Sequence, residues 1–517
     1  MSLTKSFASA FSLIVLCFSV SAQQTAFQLD ISASGFDNIT AVTENAAGNF
    51  ILASETFNGT GSDIIMVEVS PAGTVLQSQA ISLPENEFAR SVFETSDGHY
   101  IVTGAISITS NNFDWFVLKL DNAFNLVWYN TYTSTGNDYA NNGFEISPGH
   151  YCITGTVALG GSAKPAVVTI DSAGAVINEG YLTTNQFASP RYKGYYMGDG
   201  VIAFAQMANA ISLLDTSGNV LQNYNFAFGT YSTNIIRTND GGYAIASLSG
   251  LGAPTGAKMA LSVLDSSLST VAWSVQFGVN GNNITPIGLE QDTQGNFWVA
   301  ATVESFISGT YKPIVVKVDG QGNLLWSNEY SPTGVADPQF NAMIKTSDDG
   351  FLLVGQMSTA LQRMFVAKLD STGSSSCNVT PFPLSPQPNT PISRTPHAPF
   401  TGAIIASGPS APTTTNPAAM GNIYCITTGI DEVSDQNQFV VSPTMVVDGF
   451  NVSFNHPAKA AELMVMDMNG KLVLSKTITD NQYVDCSRLK TGTYVIRIRL
   501  KDSEKLFSQP FIKTSSK

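Results

Sequence analysis

One unit recurs along this chain and restricts its fold more than any other feature. Residues 95–132 show it clearly: TSDGHYIVTGAISITSNNFDWFVLKLDNAFNLVWYNTY. A turn, Ser96-Asp97-Gly98, leads into an apolar run at 100–105, a second run at 115–120 ends at Asp121, and a third follows at 126–132. Apolar runs of this length, separated by turn chemistry and without helical period, predict an antiparallel meander. The aromatic after the turn recurs as Phe50, Tyr100, Tyr151, Tyr243, Phe297 and Phe351, with Ile202 in one unit, at gaps of 50, 51, 51, 41, 54 and 54 residues. A second landmark closes the next strand at Ser70, Asp121, Asp171, Asp215, Asp265, Asp319 and Asp370. Both occur seven times. A period of about 40–50 residues with four strands per unit predicts an all-β chain with a seven-bladed β-propeller as its body.

The ends of the array predict closure. Six units carry a last strand after the second landmark, whereas the seventh runs into Ser374-Ser375-Ser376-Cys377. The missing strand is expected at residues 24–34, which would complete the last blade and leave no sheet edge open. The expected order is a signal peptide at 1–22, the propeller at 23–373, a Pro/Ser/Thr-rich linker at 374–430, and a small C-terminal β-sandwich at 431–517. A chain of 517 residues is long enough for a large core and an appendage.

The signal peptide is read from Lys5, the apolar run at 11–18, and the small residues Val20-Ser21-Ala22, which place cleavage between Ala22 and Gln23. That run is short for a membrane span, and no later stretch reaches about 18 apolar residues, so no transmembrane segment is expected. Leu16 stands before Cys17 where a lipoprotein signal would want a small residue. Charged residues are 12% of the chain and the net charge is −14, with no basic patch, which argues against a nucleic-acid partner.

Of the five cysteines, Cys17 leaves with the signal, and Cys152 and Cys486 read as buried thiols. Cys377 and Cys425 bracket the low-complexity segment, and an exported chain can oxidise them. A disulfide between them would close a long loop; two separate thiols are the alternative. Pro381, Pro383, Pro386, Pro388 and Pro391 predict that this segment is an extended spacer.

The residues that could do chemistry recur with the repeat. Trp128, Trp273 and Trp326 share one blade position, so packing between blades outweighs a ligand platform. His99 and His150 both follow a turn glycine, and the recurrent Asp suits a turn in which its side chain bonds the backbone two residues on. No spacing suited to a metal, no cofactor motif and no catalytic triad stands out, so neither cofactor nor metal is expected. Glu94, Glu145, Glu290 and Asp138 lie on or near innermost strands, and two of them facing each other could serve glycoside chemistry. The loops between second and third strands vary most, and variable loops on a rigid scaffold commonly carry recognition. They fall near 56–62, 107–112, 159–164, 249–258 and 304–312, and the fourth unit all but lacks one at 205–210.

The C-terminal segment reads as six or seven short alternating strands. Its motifs are Val465-Met466-Asp467-Met468-Asn469-Gly470-Lys471-Leu472-Val473 and Leu489-Lys490-Thr491-Gly492-Thr493-Tyr494. About residues 433–517 resemble the type A C-terminal sorting domain of the type IX secretion system of Bacteroidota. Its usual Tyr-Pro-Asn-Pro-like opening is reduced here to Ser442-Pro443-Thr444-Met445, and Cys486 stands in place of a common Leu. The resemblance implies an immunoglobulin-like sandwich that addresses the chain to an outer-membrane translocon. It also implies a sortase-like peptidase as a partner, which removes the sandwich and releases the cargo or anchors it. The repeats, through Asp240-Gly241-Gly242-Tyr243 and Asp349-Gly350-Phe351, are similar to those of bacterial surface propellers. That likeness implies a fold and no activity.

A repeat array without a catalytic constellation reads as a binding or adhesion module for an extracellular glycan, polymer or protein. An exported polysaccharide hydrolase or lyase with carboxylates at the propeller mouth is the alternative, and a purely structural surface component is a third.

Overall fold

The structure is a computed structural model. It describes residues 25–427 and 439–513 apart from 33–35, 58–60, 84, 110–111, 135, 160–161, 183–192, 206–209, 226–230, 251–255, 269, 307, 359–361, 389–394, 397–404, 408–412, 416–419, 443–444, 455–460, 468–470, 480–481 and 501–505. All regular structure among them is β-strand. No helix among them is long and apolar enough to cross a membrane.

Among the described residues seven antiparallel sheets follow in chain order, within 36–82, 86–133, 139–181, 193–225, 231–278, 282–330 and 336–369. The second shows the pattern: Asn86–Glu94, Tyr100–Thr109, Asn112–Leu120 and Leu126–Thr133 pair in that order. The seventh has three strands of its own, and Ala26–Ser32 pairs antiparallel with Gln362–Leu369 as its fourth.

Burial explains why these strands form. The middle strands are buried on both faces and so read as continuous apolar runs, as in Leu118, Val117, Phe116 and Trp115. The first and last strands alternate. Each apolar core lies between two consecutive sheets. Ile51 and Met66 pack with Val102 and Phe116, Trp115 with Ile153, Cys152 with Phe204, and Ile211 with Ile245. The series continues with Leu261 against Val299 and Trp298 against Phe365. It ends with Val354 and Phe27 against Leu52, which joins the seventh sheet to the first.

Glycines at one repeated position let the innermost strands bulge. A Cβ on Gly104 would stand 2.0 Å from the Phe88 carbonyl oxygen, and one on Gly155 2.0 Å from that of Tyr139. The partner strands shift register beside these sites, between Ala89 and Ser91 and between Ala140 and Asn142.

The Pro/Ser/Thr-rich segment is not a spacer. Val379–Pro381 adds a fifth strand to the sixth sheet, Ser385–Pro388 to the fifth, and Thr395–Pro396 to the fourth. Ile405–Ser407 joins the second, Thr413–Thr415 the first, and Met420–Thr427 pairs with Ala26–Ser32. The composition misleads because a proline that forbids an interior strand is tolerated on an edge strand, where one side needs no partner. The first compact unit accordingly runs to Thr428, and a second covers Gly429–Lys517.

The second unit has two sheets. One orders Phe439–Ser442, Gly449–Phe454 and Gln482–Asp485; the other orders Met445–Val446, Leu506–Lys513, Gly492–Leu500, Ala461–Asp467 and Leu472–Ile478. Phe450, Val452 and Val484 of the first share a core with Leu463, Val465, Ile496 and Ile498 of the second.

Candidate functional site

At one end of the ring, a residue at or near the end of an innermost strand holds the turn of the preceding sheet. The Glu94 carboxylate accepts the Ala46 N–H at 2.6 Å. Glu145 accepts the Ser96 N–H at 2.6 Å and hydroxyl at 3.0 Å, and also the Gly149 N–H at 2.8 Å. Gln291 accepts the Asn239 N–H at 2.7 Å, and Arg237 donates to the Met197 carbonyl at 3.3 Å. Asp138 precedes its innermost strand, at the opposite end, where it accepts the Ser134 N–H and hydroxyl and the Ala158 N–H. Burial pushes its pKa up to about 6. Burial likewise pushes Glu290 up to about 7, against the lowering effect of a backbone hydrogen bond from Lys345 and that residue's charge. Glu94 and Glu145 are thus engaged by the turns of different sheets, Glu290 stands beside Gln291 at that same end, and Asp138 lies at the opposite end from all three.

The repeated turns are held by a residue that the sequence reading passed over. Lys119 Nζ lies 2.7 Å from Asp97 and 2.9 Å from the Tyr151 hydroxyl, buried between sheets. Lys317 pairs with Asp292 at 3.1 Å and stands over the Trp298 ring, and Lys368 pairs with Asp348 at 2.9 Å. The signal was present, because Lys119-Leu120-Asp121, Lys317-Val318-Asp319 and Lys368-Leu369-Asp370 share one spacing. His99 and His150 each place Nδ1 3.2 Å from the carbonyl oxygen two residues before. Asp121 accepts the backbone N–H groups of Ala123 and Asn125 at 2.9 and 2.8 Å, and Asp171, Asp215 and Asp319 do the same in their turns. Trp128 donates to the Ser172 carbonyl and Trp273 to that of Gly320, each at 2.9 Å in the next sheet, so these tryptophans join sheets.

Buried carboxyls gather instead at the other end, across the first three sheets. Glu87 is fully buried. Burial, and then the charge of Asp63, push it up to about 9 against the lowering effect of backbone hydrogen bonds from Leu83, Glu85 and its own residue. Burial pushes Glu55 up to about 7 against the opposing charge of Arg90, and it raises Asp114 against a hydrogen bond from Thr133. Acids held protonated near neutral pH can donate hydrogen bonds or protons. Among the described residues no three His, Cys, Asp or Glu side chains are grouped to hold a metal. The tips of the variable loops at 58–60, 110–111, 160–161, 251–255 and 307, and the short link at 206–209, lie outside the described residues. A cleft of about 300 Å³ lies at the outer rim between Trp273, Gln321, Gly322 and Gln387.

Cys377 and Cys425 come together, with Cα atoms 5.9 Å apart and sulfurs at bonding distance. Cys152 and Cys486 are buried free thiols. In the C-terminal unit the Tyr494 hydroxyl donates to the Lys490 carbonyl at 2.8 Å, and the Leu489 N–H donates to the Cys486 carbonyl at 3.0 Å. Gly492 opens the strand whose Tyr494 pairs with Asp467, and Lys471 is exposed. Asn469, Gly470, Ala22 and Gln23 lie outside the described residues.

The geometry defines a ring of blade-like antiparallel sheets followed by a separate two-sheet unit. Residues 442–513 match the secretion system C-terminal sorting domain family, and the two-sheet unit is the sorting domain of a type IX export substrate. The chain is therefore exported through the periplasm and outer membrane to the cell surface or extracellular space. No curated protein sequence matches it. Among solved structures it is similar to a protein of unknown function from Bacteroides caccae (14% identity, 48% of this chain and 93% of that one, TM-score 0.33). It is similar also to PorZ of Porphyromonas gingivalis, described as an essential surface component of the type IX secretion system (11% identity, 94% and 75%, TM-score 0.39). A third likeness is to the WD40 domain of Toxoplasma gondii coronin (8% identity, 67% and 87%, TM-score 0.40).

Proposed function

We propose that the first unit is a seven-bladed β-propeller that acts, once exported, as a binding or adhesion module for a glycan, polymer or protein. In this reading residues 1–22 are a signal peptide cut after Ala22, and the C-terminal unit is an immunoglobulin-like sandwich of type A. A sortase-like peptidase then removes that sandwich. One observation carries the binding role: the recurring side chains capable of chemistry are spent on joining sheets. Glu94, Glu145, Lys119, Trp128 and Trp273 each bond a neighbouring turn or sheet. What differs from blade to blade is the loops at the opposite end, where recognition is expected.

The second reading, a polysaccharide hydrolase or lyase, is favoured by the buried acids Glu55, Glu87, Asp114 and Asp138 at that same end. The purified mature chain is incubated with a panel of polysaccharides and surface glycoproteins, and both retention and product release are read. Retention without products supports the binding module. Released oligosaccharides displace it in favour of the second reading.

A further inference from the structure

The segment after the seventh sheet visits the outer edges of the others in reverse chain order: sixth, fifth, fourth, second, first, and finally the seventh. Its ends return to one place, at Cys377 and Cys425. Beside them runs Ala26–Ser32, the strand that completes the seventh sheet, paired on one edge with Gln362–Leu369. Gln28 Nε2 donates to the Ser375 hydroxyl at 2.9 Å and the Cys377 carbonyl at 3.2 Å, and Asn378 donates back to Gln28 at 3.1 Å. Met420–Thr427 pairs along the other edge of the same strand. A segment that passes once around a closed ring and bonds to itself where it began is a hoop.

We propose that residues 377–425 form a redox latch, a covalently closed hoop around the ring of sheets that holds Ala26–Ser32 in place. Closure is thiol–disulfide exchange with a disulfide-bearing oxidant of the compartment beyond the inner membrane. One cysteine thiolate attacks that disulfide, and the second displaces the oxidant from the mixed disulfide. Two electrons and two protons leave with the oxidant as its dithiol. The hoop encloses the ring only when the edge strands pair before the bond forms. Once it is closed, the outer strands cannot peel away in sequence from a free end.

The test uses the full mature chain. Mass spectrometry after alkylation reads the state of Cys377 and Cys425, and unfolding in guanidinium is followed with and without a phosphine reductant. Hydrogen exchange is read at each sheet edge. Unfolding at least tenfold faster after reduction is expected. So is joint loss of protection at 80–82, 131–133, 224–225, 275–278, 328–330 and 26–32. The third sheet's outer strand, Val176–Tyr181, pairs with no hoop strand among the described residues and serves as the internal control. If Cys377→Ser does not fold, reduction of the already folded protein gives the same readout. Two free thiols in the exported chain would overturn the proposal. So would loss of protection confined to the residues beside the two cysteines, which would make the bond a local staple.

Discussion

Glu44 and Ser347 are 303 residues apart in sequence, and the Glu44 carboxylate accepts the Ser347 N–H at 2.7 Å and its hydroxyl at 2.6 Å. This is the contact that Glu94 makes to the first sheet's turn and Glu145 to the second's, here made across the closure between seventh and first sheets. Glu44→Ala should lower stability by about 1 kcal/mol, because the group is part-exposed and its bonds compete with water. Glu44→Gln, which keeps an acceptor, should lose less. Guanidinium midpoints of the two variants check the order; an alanine variant as stable as the parent would mean that the turn needs no partner.

Trp326 and Gly373 give a second prediction. Gly373 has φ +90, and a Cβ there would stand 2.5 Å from the Trp326 ring. Gly373→Ala combines a disfavoured backbone region with a clash and should cost about 1–3 kcal/mol. Adding Trp326→Leu should relieve the clash but not the backbone term, so the double variant should lose less than the two single losses combined. Thermal unfolding of the four proteins tests it; strict additivity would place the ring away from the glycine.

Glu87 predicts a pH dependence. Its folded pKa of about 9 lies above the ordinary glutamate value of 4.5, so the folded state binds the proton more tightly than the unfolded state. The stabilisation is therefore complete below about pH 4.5 and is lost as pH rises towards 9. Glu87→Gln, which cannot ionise, should flatten the fall in urea midpoint between pH 5 and 9. It should also exceed the parent at pH 8 by on the order of 2 kcal/mol. Parallel pH profiles for the two proteins would mean that Glu87 is hydrated.

The repeat was legible because each sheet must bury the same faces, so Tyr100, Tyr151 and Phe351 return at one place and show their spacing without any structure. The turn lysines were legible too, from the spacing of Lys119, Lys317 and Lys368 before the acidic landmark. The hoop was not. Its strands take their register from the edges they pair with, so Ser385–Pro388 carries no apolar period of its own, and its prolines resemble those of a spacer. Glu94 and Glu145 misled for a related reason. A glutamate at or near the end of an innermost strand has the same sequence signature whether it faces a ligand or caps a turn, and only the neighbouring sheet decides which.

The sorting domain allows a prediction that separates folding from export. Tyr494 is 7% exposed, lies in the core shared by both sheets, and donates to the Lys490 carbonyl at 2.8 Å. Tyr494→Phe removes only the hydrogen bond, about 1 kcal/mol, and should leave the unit folded and the chain exported. Tyr494→Ala opens a cavity costing about 3–5 kcal/mol, enough to unfold a unit of this size. The first unit forms its own cores and should keep its unfolding transition in both variants. Immunoblots of culture medium, surface and periplasmic fractions should therefore find the alanine variant retained in the periplasm and the phenylalanine variant delivered. Delivery of the alanine variant at the parent's level would show that the translocon reads a linear motif and does not need the folded sandwich.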